Sequence, residues 1–202
     1  IDMLAGPSEL LVVADASADA ELLARDLLAQ AEHDADAVPM LVCTSDALAE
    51  AVDAALDRQL GELETREVAR EALCNGFVCV AESIDEAVEI ASEIAAEHLE
   101  VMTADADGVA SRIRNAGGMF VGASSAEVFG DYGIGPNHTL PTGGTARFRS
   151  GLSVMDFLRL RTWLRVDDNG APGDLIDDVA ALASMEGLAG HRASAVARGR
   201  SG

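Results

Sequence analysis

Short continuous apolar runs alternate along most of the chain with longer stretches in which apolar residues recur every three or four positions. Residues 10–14 (Leu-Leu-Val-Val-Ala) predict a strand, and residues 19–33, with Leu22, Leu23, Leu27 and Leu28 at helical spacing, predict a helix. The same unit recurs as a strand at 38–43 followed by a helix at 46–60. It recurs again as a strand at 77–80 followed by a helix at 85–97, whose start carries Ser83 and Glu86 at capping-box spacing. A fourth strand at 99–102, a helix at 109–115 and a fifth strand at 118–122 complete the pattern. Strand and helix in strict alternation predict an α/β fold, Rossmann-like, with a mostly parallel sheet and flanking helices.

The pattern stops after Gly122. Residues 130–150 are rich in glycine, hold Pro136 and Pro141, and show no apolar period, which predicts a long loop of the kind that carries function. Beyond it the sequence predicts a short helix at 154–160, a strand at 163–166, a turn at 169–172 and one or two helices over 174–198. This tail has too few large apolar residues for its own core and should pack on the main domain or on a second chain. Two parts follow: a Rossmann-like domain at 1–150, which the resemblance given below implies is incomplete, and a helical tail at 151–202.

Composition narrows the function classes. The chain of 202 residues is 49% hydrophobic, carries 14 basic against 35 acidic residues, and has a net charge of -21. All of its basic residues are arginine. Without lysine there is no Walker A phosphate loop and no Schiff-base chemistry. So acidic a surface disfavours nucleic acid and anionic membranes as partners, and no apolar stretch is long enough to span a bilayer. It suggests instead a salt-rich, halophilic cytoplasm in which screening relieves self-repulsion. Cys43, Cys74 and Cys79 predict buried reduced thiols rather than a disulfide framework. The start at Ile1, without a methionine, suggests a segment internal to a longer polypeptide.

All four histidines, His33, His98, His138 and His191, lie in polar or glycine-rich settings, which suits metal or proton chemistry. Gln30 and His33 share a helix face and could reach one ion, with Asp131, His138 and His191 available to complete its coordination; alone, the pair also reads as helix surface. Glu97-His98 is placed where a helix hands over to a strand. The negative helix end favours imidazolium and could hold a base near neutrality, although the dipeptide by itself fits better a helix that ends in a solvated Glu-His pair. Gly133, Gly135, Gly143 and Gly144 do not sit between a strand and a helix as a dinucleotide fingerprint requires, and their predicted role is close backbone approach to a small substrate.

Taken together, the segments Ile1-Asp-Met-Leu-Ala-Gly-Pro-Ser-Glu9, Gln30-Ala-Glu-His-Asp34, Ala96-Glu-His-Leu-Glu100, Gly130-Asp-Tyr-Gly-Ile-Gly-Pro-Asn-His138, Leu140-Pro-Thr-Gly-Gly-Thr-Ala-Arg-Phe148 and Gly151-Leu-Ser-Val154 resemble, in order, the C-terminal half of histidinol dehydrogenase. The resemblance implies a zinc-containing, NAD-dependent homodimer that oxidises L-histidinol through L-histidinal to L-histidine. It implies one zinc per subunit, held by Gln30, His33, Asp131 and His191 and acting as a template for the substrate. His98 would be the base for the alcohol and Glu97 would activate water for the aldehyde. Ser8, Gln30, His33, His98, Asp131, Glu186 and His191 would touch substrate, with His138 a further contact. The tail, bearing Glu186 and His191, would serve the neighbouring subunit's site, and the NAD contacts would lie mostly upstream of Ile1. Leu4 and Arg149 depart from the residues usual in the family.

A reading from another class is a catalytically silent module that dimerises and binds metal without a cofactor site. A zinc hydrolase is disfavoured because no His-Glu-x-x-His segment is present.

Overall fold

The structure is a computed structural model and describes residues 6–135, 137–166 and 173–199. Ile1 to Ala5, including Leu4, together with Pro136 and the turn predicted at 169–172, lie outside the described residues. Five strands, β1 (Glu9–Ala14), β2 (Val38–Cys43), β3 (Phe77–Val80), β4 (His98–Met102) and β5 (Gly118–Val121), form one parallel sheet in the order β3-β2-β1-β4-β5. Parallel neighbours need a crossover, and helices α1 (Ala20–Ala31), α2 (Asp46–Glu62), α3 (Arg66–Leu73), α4 (Ile84–Ile94) and α5 (Ala106–Ala110) provide it. The predicted α/β architecture is therefore the observed one.

Helices cover both faces, and the pleat of β1 sorts its side chains between them. Leu11 and Val13 pack with Val88 and Ala91 of α4 and Val109 of α5, whereas Leu10, Val12 and Ala14 pack with Leu23 and Leu27 of α1 and Leu48 and Val52 of α2. Burying each of these leucines and valines stabilises the fold by about 1.5–3 kcal/mol. A third cluster, Leu28, Ala31, Leu60, Ala69 and Ala72, joins α1 and α2 to α3. Along β4, Leu99 and Val101 face α4, so His98 and Glu100 point to the α1 face of a fully buried strand. Two ionisable groups in such a strand are costly without partners, which marks the site.

Several boundaries differ from the sequence pattern. Helix α3 was not predicted, because its buried face consists of the alanines Ala69 and Ala72. Helix α4 stops at Ile94, where Ala95 takes a left-handed conformation (φ 54°, ψ 49°) that turns the chain directly into β4. At its start the Ser83 hydroxyl accepts the Glu86 N–H at 3.2 Å, but the Glu86 carboxylate accepts from the Glu82 N–H rather than closing the box. Helix α5 sits earlier than the pattern placed it. The long loop contains a short helix, α6 (Val128–Asp131), and a 3-10 turn at Thr145–Arg147.

The predicted short helix after the loop is a 3-10 turn at Val154–Phe157. Residues 163–166 are not a strand, for they have no neighbouring strand to bond. The chain divides into the compact units Ile1–Leu158 and Arg159–Gly202, a boundary later than the one predicted after residue 150. In the second unit α7 (Gly173–Met185) and α8 (Ala189–Gly199) pack on each other. The cysteines are free as expected, yet only Cys43 is buried, Cys79 is half-buried and Cys74 is exposed. Among the described residues, no helix is long and apolar enough to cross a membrane.

Candidate active site

The candidate residues of the first unit gather at the amino ends of the central strands. Leu10, His98 and Gly118 stand side by side at the start of β1, β4 and β5, and Ser8 and Glu97 immediately precede their strands. Doubly wound sheets usually bind ligands at the opposite, carboxyl edge. The turns after β1, β2 and β3 on that edge, beginning Asp15-Ala-Ser, Thr44-Ser and Ala81-Glu-Ser, contain no glycine. The Glu97-His98 pair therefore lies not at the usual crevice but on the far side of the sheet. There the chain enters its strands and α1 ends.

His98 is 2% exposed, and both of its ring nitrogens are engaged. Nδ1 lies 2.8 Å from the Glu9 carbonyl oxygen, which can only accept, so Nδ1 carries the proton and Nε2 presents a lone pair. Nε2 lies 2.8 Å from Nε2 of His138, whose ring stacks on that of His98 with centroids 4.7 Å apart. In the neutral pair His138 is thus the donor. Glu127 Oε1 is 3.6 Å from His98 Nε2 and 3.4 Å from His138 Nε2. Asp131 bridges two imidazoles, with Oδ1 at 3.3 Å from His138 Nε2 and Oδ2 at 3.8 Å from His33 Nε2. Glu97 is held from the other side, its Oε2 accepting the Ser8 hydroxyl at 2.8 Å and the Glu9 N–H at 3.1 Å. Glu9 returns the contact by accepting the Glu97 N–H at 3.2 Å.

Burial governs the titration of this cluster. It lowers His98 from 6.5 to about 4, with the His138 imidazole adding to the effect and the Glu9 carbonyl opposing it. The near-neutral base expected from a helix end is corrected accordingly: α4 ends four residues earlier and His98 is the first residue of a buried strand. Burial also raises Glu97, against the hydrogen bonds from Ser8 and Glu9. Glu127 is pushed up to about 7 by burial and then by the charges of Asp131, Glu97 and Asp26. His98 is consequently neutral and able to accept a proton at physiological pH. The carboxylates of Glu127 and Glu97, the latter 3.7 Å from Nδ1, are placed to stabilise the imidazolium that would form.

Two sets of ligand-competent groups share Glu127: His33, Glu127 and Asp131, and His98, Glu127 and His138. The first suits a metal better, because both nitrogens of His98 are already bonded at 2.8 Å. Gln30 supports that choice. Its side chain is completely buried, three residues before His33, and neither Oε1 nor Nε2 has a hydrogen-bond partner. An orphaned buried amide costs about 1–3 kcal/mol per group, so a missing partner such as a cation for Oε1 is chemically called for. Gln30 and His33 were expected on one helix face, but His33 lies beyond the end of α1, partly exposed.

Close approach to protein groups occurs at Gly144, where a Cβ would meet the Arg147 guanidinium at 2.6 Å, and at two glycines not singled out by sequence. A Cβ on Gly130 would meet the His138 ring at 2.8 Å, and one on Gly117 would meet the Glu97 carbonyl oxygen at 2.5 Å. Gly133, Gly135 and Gly143 have open space around them and serve a positive φ. Sequence reading also missed Glu127, Glu9, Asp26 and Glu100. For Asp26 and Glu100 the signal was charge at positions meant to be buried, as in the run Leu99-Glu-Val-Met102, whereas no local pattern marked Glu9 or Glu127. His138 lines a cavity of about 450 Å³ with Phe120, Asn137 and Leu140, open beside the cluster. Glu186 and His191 lie in the second unit, on the turn after α7 and in α8, and both are exposed.

The comparisons with known proteins agree with one another. The family model for histidinol dehydrogenase matches residues 1–199. The chain is 49% identical over 192 residues to histidinol dehydrogenase from Geobacillus kaustophilus, covering 95% of this chain and 45% of that protein. It is 46% identical over 194 residues to the Thermus thermophilus enzyme of the same name, covering 96% and 47%. The crystal structure of histidinol dehydrogenase from Elizabethkingia anophelis superposes with a TM-score of 0.88 at 36% identity, over 98% of this chain and 45% of that one. The chain thus spans about half the length of the curated relatives it matches, and it belongs to the histidinol dehydrogenase family.

Proposed function

We propose that this chain carries the zinc-binding and proton-accepting part of an enzyme that oxidises L-histidinol through L-histidinal to L-histidine with NAD. One observation carries the reading: His98 is buried, fixed as an acceptor by the Glu9 carbonyl, and faces His138 and Glu127 across less than 4 Å. His98 Nε2 would take the proton of the alcohol oxygen, at the place now marked by the His138 N–H, while the cofactor, when bound, would supply the acceptor for the hydride of the alcohol carbon. The aldehyde then adds water. Glu97, made more basic by burial and oriented by Ser8, would take a proton from that water as it adds, leaving the hydrate ready for the second oxidation.

Gln30, His33 and Asp131 would hold zinc, with His191 reaching it from a second subunit, and the ion would supply a fixed template for the substrate's imidazole and amine. Glu186 would approach substrate on the same tail. Exposed apolar side chains of the second unit, Leu160, Trp163, Leu164 and Met185 among them, support a tail that packs on another surface in a homodimer. The glycine-free turns after β1, β2 and β3 support NAD contacts from outside residues 1–202. A zinc titration of the complete protein tests the reading. One ion per chain is expected, and His33→Ala should abolish tight binding, whereas full occupancy in that variant would remove His33 from the ligand set.

A further inference from the structure

Glu9 takes no part in the chemistry proposed above, yet it touches both proposed bases and the glycine-rich loop. It is the first residue of β1, and the pairing of Leu10 with His98 sets it beside Glu97. Its backbone N–H donates to Glu97 Oε2 at 3.1 Å, and its carbonyl oxygen accepts from His98 Nδ1 at 2.8 Å. Its carboxylate turns back on the same segment. Oε2 accepts the Glu97 N–H at 3.2 Å, and Oε1 accepts the Gly143 N–H at 2.9 Å. Each glutamate is thus bound by the other's amide. The two contacts close a ring that sets each carboxylate on a donor rather than against the other's negative charge.

We propose that Glu9 is the positioning residue of Glu97, and that its carboxylate needs both oxygens for the task. One oxygen holds the peptide that carries Glu97. The other is held by the loop, so that the loop fixes Glu9 while Glu9 aims its own N–H at the Glu97 carboxylate. The positioning of a base rests on the function proposed above; the clasp itself does not.

Gly143 gains a role from this contact. A Cβ there would meet no neighbour, so space does not require glycine, but the residue has a left-handed φ of 61° that glycine adopts at no steric cost and in which its N–H reaches Glu9. The loop is anchored on either side of it. The Thr142 hydroxyl oxygen accepts the Gly6 N–H at 2.7 Å, and the Arg147 guanidinium donates to the Glu93 carbonyl oxygen near the end of α4. From the other neighbouring strand, the Gly118 N–H donates to the Glu97 carbonyl oxygen at 2.7 Å. Glu97 is therefore gripped at its N–H by a side chain and at its carbonyl by main chain, and a substitution at residue 9 releases the first grip alone.

The test is Glu9→Gln in the complete enzyme. Glutamine keeps the length and planarity of the side chain but offers one acceptor oxygen to two N–H groups and sets its own NH2 against the other. Hydrogen exchange reads the clasp without catalysis. The Glu97 or the Gly143 amide should exchange about ten-fold faster than in the wild type, while the amides of Leu11 and Val13, buried in β1, keep their rates and show the fold intact. Unchanged exchange at both Glu97 and Gly143 would overturn the clasp. For positioning, kcat for histidinal should fall about ten-fold with KM changed by less than roughly three-fold, the scale of a misplacement below about 1 Å. In a Glu97→Gln background the same substitution should cost less than about three-fold, because a residue acting through Glu97 then has no base to place. Wild-type kcat in Glu9→Gln, or equal fractional losses in both backgrounds, would overturn the positioning role. Wild-type oxidation of histidinal by Glu97→Gln alone would instead overturn the assignment of Glu97 as a base and, with it, the positioning role, and hydrogen exchange would still decide the clasp.

Discussion

Gly130→Ala separates the stability of the fold from the geometry of the histidine pair. The residue lies within α6 without a positive φ, so alanine fits the backbone. Its Cβ would stand 2.8 Å from Cε1 and Nδ1 of His138 and 3.0 Å from Cε1 of Phe120, where ordinary contact begins near 3.4 Å. The His138 ring, partly exposed, is the group free to yield, and relief of the clash moves it by roughly 0.6 Å or more. That displacement is enough to lengthen and misalign the 2.8 Å contact between the two Nε2 atoms. A lost hydrogen bond costs about 0.5–1.5 kcal/mol, and the Gly-to-Ala gain in helix propensity, at most about 1 kcal/mol, offsets most of it. Stability should therefore change by less than about 1 kcal/mol. Turnover should fall more, by about ten- to one hundred-fold, because misplacement on this scale disrupts alignment for proton transfer. The assay is kcat/KM for histidinol in the complete enzyme beside a denaturant melt. Wild-type kcat/KM in a folded Gly130→Ala protein would refute the assignment of His138 to the reacting centre.

Two further outcomes are expected. A displacement of His98 from 6.5 to about 4 means that its neutral form stabilises the fold above pH 6.5 by on the order of 3 kcal/mol, a contribution lost as pH falls toward 4. Denaturant melts of wild type and His98→Gln between pH 4.5 and 7.5 should therefore diverge in slope, and equal slopes would contradict a buried neutral His98. The 202-residue chain prepared alone should neither bind NAD saturably nor form histidine from histidinol with zinc present; either activity would place the cofactor site within it.

Much of the fold was legible because burial imposes a pattern. β2 and β3 occur where continuous apolar runs predicted them, and α1 follows from its spaced leucines. α3 was hidden because alanine, its buried residue, gives little apolar contrast. The end of α4 was misplaced because Ala95 occupies a left-handed turn that normally advertises itself as glycine. That error moved His98 from a solvated helix end to the first position of a buried strand, and with it the direction of its titration. Residues 163–166 have strand composition, but composition cannot supply a neighbouring strand. At the site, local spacing pointed to Gln30 with His33 and to Glu97 with His98. The convergence of Asp131, His138 and Glu127 depends on a loop returning to the amino edge of the sheet, which no local pattern encodes. Asp26 and Glu100 were visible only as charges at positions that the strand and helix periods bury.

The central claim is that His98 and Glu97 are successive bases at one centre. Single-turnover hydride transfer in the complete enzyme measures it most directly, with histidinol and histidinal as separate substrates. His98→Ala should slow oxidation of histidinol most, and Glu97→Gln should oxidise histidinal poorly and so fail to carry histidinol through to histidine. Oxidation of histidinal by Glu97→Gln at the wild-type rate would contradict the account.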